Sequence, residues 1–251
     1  MTEETRTYAV GDIHGHLDKL EEALDLIAAD RARTGDDEAA VVFVGDLVDR
    51  GPDARGVIER LMRGMAEDEP WIVLRGNHDQ MFLDYLASGG PDGAPEAARW
   101  LNANLGGTET LASYGIRKRV IDTRSRLIAR AVEAVPDAHV AFLQDRPYYY
   151  LTDDVVFVHA GIRPHVPLRD QLEIDMLWIR QGFLDDPTDH GRLVVHGHTA
   201  LYEVTHFGNR VDIDGGAAYG RPLLPVVVEG REVAVLTCAG RQPLPAPPDW
   251  S

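Results

Sequence analysis

Cysteine is nearly missing from this chain. There is one, Cys238, in 251 residues, so an intrachain disulfide and a thiolate metal cage are both excluded; a buried or incidental thiol is what remains. Lysine is almost as scarce: Lys19 and Lys118 are the only two, and arginine supplies nearly all the positive charge. With 25 Lys and Arg against 41 Asp and Glu, the formal net charge is −16. Such a chain lacks the basic surface needed for sequence-independent binding to nucleic acid or an anionic membrane. A local group of cations can still hold a small phosphorylated substrate. No apolar run approaches the ~20 residues of a membrane span, and the opening "MTEETRTY" has no apolar signal-peptide core. The expectation is a cytoplasmic protein with neither nucleic acid nor membrane as partner.

The rest of the composition is ordinary: 44% of residues are hydrophobic and 26% charged, enough to build a sizeable core. Short β-type runs recur at "TYAV" (7–10), "AVVFV" (40–44), "WIVL" (71–74), "VVFV" (155–158), "LVV" (193–195) and "RVDI" (210–213). Continuous apolar runs of strand length are expected where a sheet is covered on both faces. "LLPVVV" and "EVAVLT", flanking Glu229-Gly230-Arg231, predict a β-hairpin, with Pro225 pointing to an edge or a bulge. Leu17, Leu20, Leu24 and Ile27 fall at helix spacing, as do Ile58, Leu61 and Met65. Strand–helix alternation followed mainly by strands predicts one layered α/β domain over 1–240. Within it, 88–136 carries no strand signal. "SGGPDGAPE" opens that stretch and helical segments follow around "AARWLNANL" and "RLIARAVEAV", so it reads as a helical, cap-like insertion. The proline-rich tail 241–251 is expected to be extended and peripheral.

The chemistry lies just past the strands. "GDIHGH" follows the first run, "GDLVDRG" the second, "GNHD" the third, "HAG" the fourth and "HGHT" the fifth. Five strands thus deliver Asp, His or Asn to their C-terminal ends, the edge where ligands gather in α/β sheets. Carboxylate, imidazole and carboxamide groups are harder donors, suited to Mn, Fe or Zn. There are more candidates than one ion needs, and a central carboxylate can bridge two ions. Asp12 and His14, two residues apart between Gly11 and Gly15, turn toward one ion in this reading.

In series, these five motifs resemble the ordered signature of the calcineurin-like metallophosphoesterases. The form is most similar to the bacterial branch of the serine/threonine phosphoprotein phosphatases, and the match runs from Asp12 to about Ala217. The resemblance implies a layered α/β/β/α sandwich and two divalent metal ions, with Mn as the first expectation. Asp12, His14 and Asp46 would hold one ion; Asp46 would bridge to a second completed by Asn77, His159 and His198. His196 would then support the ligands or the fold. Arg50 and Arg180 resemble the arginines that clamp phosphate. His78 resembles the acid that protonates the leaving group, with Asp49 orienting it. A metal-bridging water would attack phosphorus directly, with no covalent enzyme intermediate.

The implied function is hydrolysis of phosphoserine and phosphothreonine in proteins. The alternative is a dinucleoside polyphosphate hydrolase similar to the diadenosine tetraphosphatases, and other small phosphoesters stay open. Asp49 favours the phosphatase branch over the tetraphosphatases. Ala200, where relatives outside that branch carry the last histidine of Gly-His-x-His, also favours it. A metal-free binding scaffold would show broken motifs, and here all six ligand positions are filled. Asp79 is open to a helix-capping reading. Trp100 and Tyr114 are expected in the core of the insertion, and the tyrosines at 148–150 in the core or at an edge. Tyr219 lies just past a strand and can approach the site. His139, His165, His190 and His206 have no partners in sequence and are expected at the surface.

Overall fold

The computed structural model describes residues 6–88, 99–117 and 119–248; residues 89–98 of the predicted insertion, Lys118 and residues 249–251 of the tail lie outside this description. Among the described residues, eleven strands form two sheets. The first sheet begins with β1 (Arg6–Val10), β2 (Ala40–Phe43) and β3 (Trp71–Val73), which pair in parallel. The second takes β4 (Tyr149–Leu151), β5 (Val155–Val158), β6 (Leu193–His196), β7 (Thr205–His206) and β8 (Arg210–Asp212), in the order β4-β5-β6-β8-β7. The chain then returns to the first sheet through β9 (Val226–Glu229), β10 (Glu232–Thr237) and β11 (Gly240–Pro243). The order there is β11-β10-β9-β1-β2-β3.

The apolar runs are continuous because alternate residues of one strand serve two different cores. Tyr8 and Val10 of β1, with Val41 and Phe43 of β2, face the helices on the outside of the first sheet. Ala9 and Val42 face the other way, into a core shared with Phe157, Val195 and Val211 of the second sheet. Val156, Val158 and Val194 line the outer face of the second sheet against Met176, Ile179 and Phe183. The layering is therefore α/β/β/α. Burying each such side chain contributes about 1.5–3 kcal/mol.

Helices α1 (Leu17–Thr34), α2 (Ala54–Ala66) and α3 (Asn77–Ala87) follow β1, β2 and β3. Each buries an apolar stripe at helix spacing, such as Leu20, Ala23 and Ile27 of α1. Asp53 caps α2 by accepting from Gly56 N–H at 2.8 Å. In the predicted insertion, α4 (Gly107–Ser113) packs on α2, and α5 (Arg124–Ala134) packs on α3. Beyond it, α6 (Asp137–Gln144) lies against α2 and α3, and α7 (Glu173–Trp178) follows β5. Among the described residues no helix is long and apolar enough to cross a membrane.

Several expectations need correcting. Pro225 sits immediately before β9, which is an interior strand between β10 and β1, so it marks neither an edge nor a bulge. Two others hold: Tyr149 and Tyr150 belong to the edge strand β4, and residues 241–243 of the tail are extended in β11 at the other sheet's edge. His139 and His206 are buried rather than at the surface. Each found a partner that sequence spacing could not show: His139 Nδ1 meets Tyr114 Oη at 2.9 Å, and His206 Nδ1 accepts from Gly208 N–H at 2.9 Å. Cys238 is exposed.

One polar cluster ties β1 and the edge strand β11 of the first sheet to α1. Asp30 is buried and accepts from Tyr8 Oη at 2.9 Å, Arg33 at 2.6 Å and Arg241 at 2.7 Å. Burial alone would push the Asp30 carboxyl up; the hydrogen bonds from Arg241, Arg33 and Tyr8 outweigh it and hold the group well below the ordinary carboxylate range. A depressed carboxylate contributes stability that is fully present above its unfolded value, about 3.9, and is lost as pH falls through its lower folded value. Asp30→Asn should therefore cost about 3 kcal/mol at pH 7, and the gap to wild type should narrow below about pH 4. Urea denaturation at both pH values checks this, and equal stability at pH 7 would contradict it.

Candidate active site

The C-terminal ends of β1, β2, β3, β5 and β6 converge at one place. Asp12 and His14 follow β1, Asp46, Asp49 and Arg50 follow β2, Asn77 and His78 open α3, His159 follows β5 and His198 follows β6. The backbone here is unusual. His14, Asp46, Asp49, Arg50 and His198 all have positive φ, between 48° and 75°. Left-handed backbone is uncommon and costly for residues other than glycine, and such residues cluster where side chains must be aimed. Gly45 makes the close approach possible: at φ 102° a Cβ there would stand 2.4 Å from Gly76 N, so any side chain would push the β2 and β3 loops apart.

Asp46 lies at the middle. Its Oδ2 is 3.5 Å from His14 Nε2, and its Oδ1 is 3.3 Å from His159 Nε2. Asp12 Oδ2 stands 3.9 Å from His14 Nε2 on one side. On the other, Asn77 Oδ1 lies 2.8 Å from both His159 Nε2 and His198 Nδ1. Two groups of donor atoms with metal-binding spacing result, His14–Asp46–His78 and Asp46–His159–His198, and Asp46 belongs to both.

The proton positions show what this arrangement needs. His14 Nδ1 donates to Val48 O at 2.9 Å, and His159 Nδ1 donates to Val44 O at 3.0 Å. A carbonyl only accepts, so in the neutral rings both Nε2 atoms are bare lone pairs. Burial pushes the His159 imidazole down to about 4 and also lowers His14, which keeps them neutral. His159 Nε2 and Asn77 Oδ1 are then two acceptors in contact, with no hydrogen between them. A cation between such atoms turns repulsion into coordination, and the donor set of nitrogen and oxygen suits a first-row divalent ion. The residues fit a metal pair.

Beside this centre stands a second constellation. Asp49 is fully buried; its Oδ2 accepts from His78 Nδ1 at 2.6 Å and from Trp100 Nε1 at 2.7 Å, and its Oδ1 accepts from Thr110 at 2.7 Å. Arg50 Nη1 is 2.6 Å from His14 Nε2 and its Nη2 is 3.1 Å from His78 Nε2. Arg180 is exposed at the opposite rim, donating to His198 O at 3.1 Å and Thr199 Oγ1 at 3.3 Å.

The family model for calcineurin-like phosphoesterases matches residues 5–219, most of the chain. The chain belongs to that family. This phosphoesterase is 28% identical over 226 residues to serine/threonine-protein phosphatase 1 of Salmonella typhimurium, covering 86% of this chain and 88% of that one. It is 23% identical over 253 residues to the asymmetrical bis(5'-nucleosyl)-tetraphosphatase PrpE of Halalkalibacterium halodurans, covering 94% of each. The crystal structure of a cold-active protein-tyrosine phosphatase from a psychrophilic Shewanella superposes with a TM-score of 0.60 at 18% identity, covering 98% of this chain and 83% of that one. The phosphoesterase is a metal-dependent phosphoric ester hydrolase. The names of the two sequence relatives carry two different substrates, so the family match defines the reaction class and not the substrate.

Sequence reasoning passed over two carboxylates of the phosphoesterase. Asp212 ends β8, within the run predicted as a strand, and Asp214 lies two residues beyond it; both are buried. Burial raises both; the like charge of Asp214 also raises Asp12, while a hydrogen bond with Asp12 works against the rise of Asp214. Burial likewise pushes Asp46 and Asp79 up to about 6, and Asp49 to about 8 against hydrogen bonds from Thr110 and Trp100. So dense a set of buried carboxylates is stable as anions only with cations among them. The alternation "DID" after a strand was the available signal.

The remaining candidates fall into place locally. Asp79 caps α3, accepting from Gly76 N–H and from Leu47 N–H at 2.9 Å each. His196 points away from both donor groups, with its ring 5.2 Å from that of Phe183 and Nδ1 donating to Gly197 O at 3.0 Å. Trp100 does two things at once: it packs on Phe82 and Tyr85, and it holds Asp49. Tyr114 packs with Phe82 in the core.

Proposed function

We propose that this phosphoesterase hydrolyses phosphoserine and phosphothreonine esters in proteins. Asp12, His14 and Asp46 would hold one divalent ion, and Asp46, Asn77, His159 and His198 a second, manganese by preference. Bound there, the ions supply positive charge to the phosphoryl oxygens and make water acidic enough to attack at neutral pH. Arg50 and Arg180, on opposite sides of the centre, orient the phosphoryl dianion through paired N–H donors. His78 delivers a proton from Nε2 to the departing oxygen, while Asp49 keeps the Nδ1 proton in place and stabilises the imidazolium.

The observation that carries the substrate is the His78–Asp49 pair. A serine or threonine alkoxide is a strong base and departs only when protonated, whereas a nucleotide phosphate leaving from an anhydride needs no such proton. A carboxylate buried completely and gripped by His78, Trp100 and Thr110 is an investment in that acid. The likeness to the Salmonella phosphatase supports the same substrate.

Dinucleoside polyphosphate hydrolysis is the second reading, favoured by the likeness to the tetraphosphatase and by a cavity on the outer side of Arg50. The two are separated by stripping the protein with a chelator, restoring Mn, and comparing rates on a phosphothreonine peptide and diadenosine tetraphosphate. Chelation should abolish activity and Mn should return it, with the peptide preferred. Preference for the dinucleotide would keep the metal centre and replace the substrate.

A further inference from the structure

We infer that the cavity on the outer side of Arg50 is a subsite for a nucleobase, with the ring of Tyr219 as its stacking platform, so that this enzyme binds nucleoside phosphates whatever its main substrate. The inference rests on the phosphate-binding centre proposed above and deepens its second reading; it does not depend on the phosphoprotein substrate.

The cavity measures about 450 Å³ and is lined by Arg50, Asn104, Gly106, Glu109, Ala218 and Tyr219. That lies within the size range of small-ligand pockets. Tyr219 is 61% exposed, which is unusual for a large aromatic side chain beside an active centre. The guanidinium of Arg50 lies 5.7 Å from the centre of its ring and that of Arg221 5.8 Å, and the exposure shows that neither covers it.

The backbone that carries this ring is held firmly. Tyr219 ends a short 3-10 turn, Ala217–Tyr219, set between Gly216 and Gly220, both in the left-handed region. Lys19 Nζ donates to Ala217 O at 2.6 Å and to Arg221 O at 2.8 Å, fastening the turn on both sides. Arg221 in turn donates to Leu201 O and Gly215 O. A fixed aromatic face loses little entropy on stacking, which is the property that binding sites for bases exploit.

The lining explains why the occupant is a base and not an aliphatic side chain. Ala103, Gly106 and Ala218 keep the walls low, and among the described residues no branched aliphatic one lines the cavity. Around the one aromatic face stand an amide, a carboxylate and a guanidinium. The Asn104 carboxamide makes no hydrogen bond among the described residues, leaving a donor and an acceptor for the polar edge of a heterocycle. Arg50 joins the two halves: its Nη atoms reach His14 and His78, and its planar head also faces Tyr219. A phosphoryl group at the centre and a base on Tyr219 would share that one arginine.

The test is inhibition of p-nitrophenyl phosphate hydrolysis by the Mn-loaded enzyme, comparing adenosine monophosphate with ribose 5-phosphate, which differ only by the base. Adenosine monophosphate should inhibit about tenfold more tightly. Tyr219→Ala should bring the ratio of the two constants close to one, and Tyr219→Phe, which keeps the ring, should preserve it. Equal inhibition by both in the wild type, or a ratio that survives Tyr219→Ala, overturns the subsite. Failure of the hydrolase reading is seen separately, as absence of turnover, and the same ratio is then read from dissociation constants by calorimetry.

Discussion

Asp46→Asn should lower kcat/KM on a phosphothreonine peptide by about 10³-fold or more, since the charge stabilisation at stake amounts to several kcal/mol. Asp46 alone belongs to both donor groups, one oxygen facing His14 and the other His159. It also accepts the His78 N–H at 2.8 Å, which aims the start of α3. Asparagine keeps the volume and tolerates the left-handed backbone that Asp46 adopts at φ 51°. The fold should therefore survive, and circular dichroism should show no change. The metal content is the decisive reading: elemental analysis should find the variant depleted of bound ions relative to wild type after identical Mn loading. A variant that retained its full metal content and more than a tenth of its activity would remove Asp46 from the centre of the mechanism.

The second large effect concerns the proton. His78→Asn should lower the rate on phosphothreonine by about 10²–10⁴-fold, the usual contribution of a positioned general acid. On p-nitrophenyl phosphate the loss should be much smaller, because nitrophenolate departs without a proton. The contrast between the two substrates is the diagnostic. A residue that only supported its neighbour Asn77 would reduce both rates alike, and metal content with them. Equal losses on both substrates would therefore return His78 to a structural position, and the argument for a serine or threonine leaving group would go with it.

The position of the candidate site was legible in the sequence because strand ends and polar motifs coincide: every motif placed at the end of an apolar run does lie where β1, β2, β3, β5 and β6 converge. The two-faced burial of the strands was legible for the same reason, since Tyr8, Ala9 and Val10 can all be apolar only if both faces are covered. Edges were harder. Strands β4 and β11 carry tyrosines, an arginine and a proline, because one side of each faces solvent, so their composition resembles loop. Buried polar pairs were illegible. Tyr114 with His139 and Trp100 with Asp49 join residues 25 and 51 positions apart, and only the packing of the helices brings them together. Asp214 gave no signal of its own, since it lies just past β8 beside Gly215 and Gly216, where turns are common.

The topology carries a consequence for the order in which the protein matures. Strand β1 lies between β2 and β9, so residues 6–10 wait for residues 226–229 before the first sheet is whole. The centre is stretched across the chain in the same way: the N–H of His198 reaches Asp12 across 186 positions, and His198 meets Asn77 across 121. Contacts between such distant positions form late, after the loop between them has closed. On the ribosome, Asp12 and His14 emerge long before His198 and wait for the residues between them to be made. A nascent chain halted before His198 lacks the contacts of that residue with Asp12 and Asn77, so the two donor groups around Asp46 cannot both assemble.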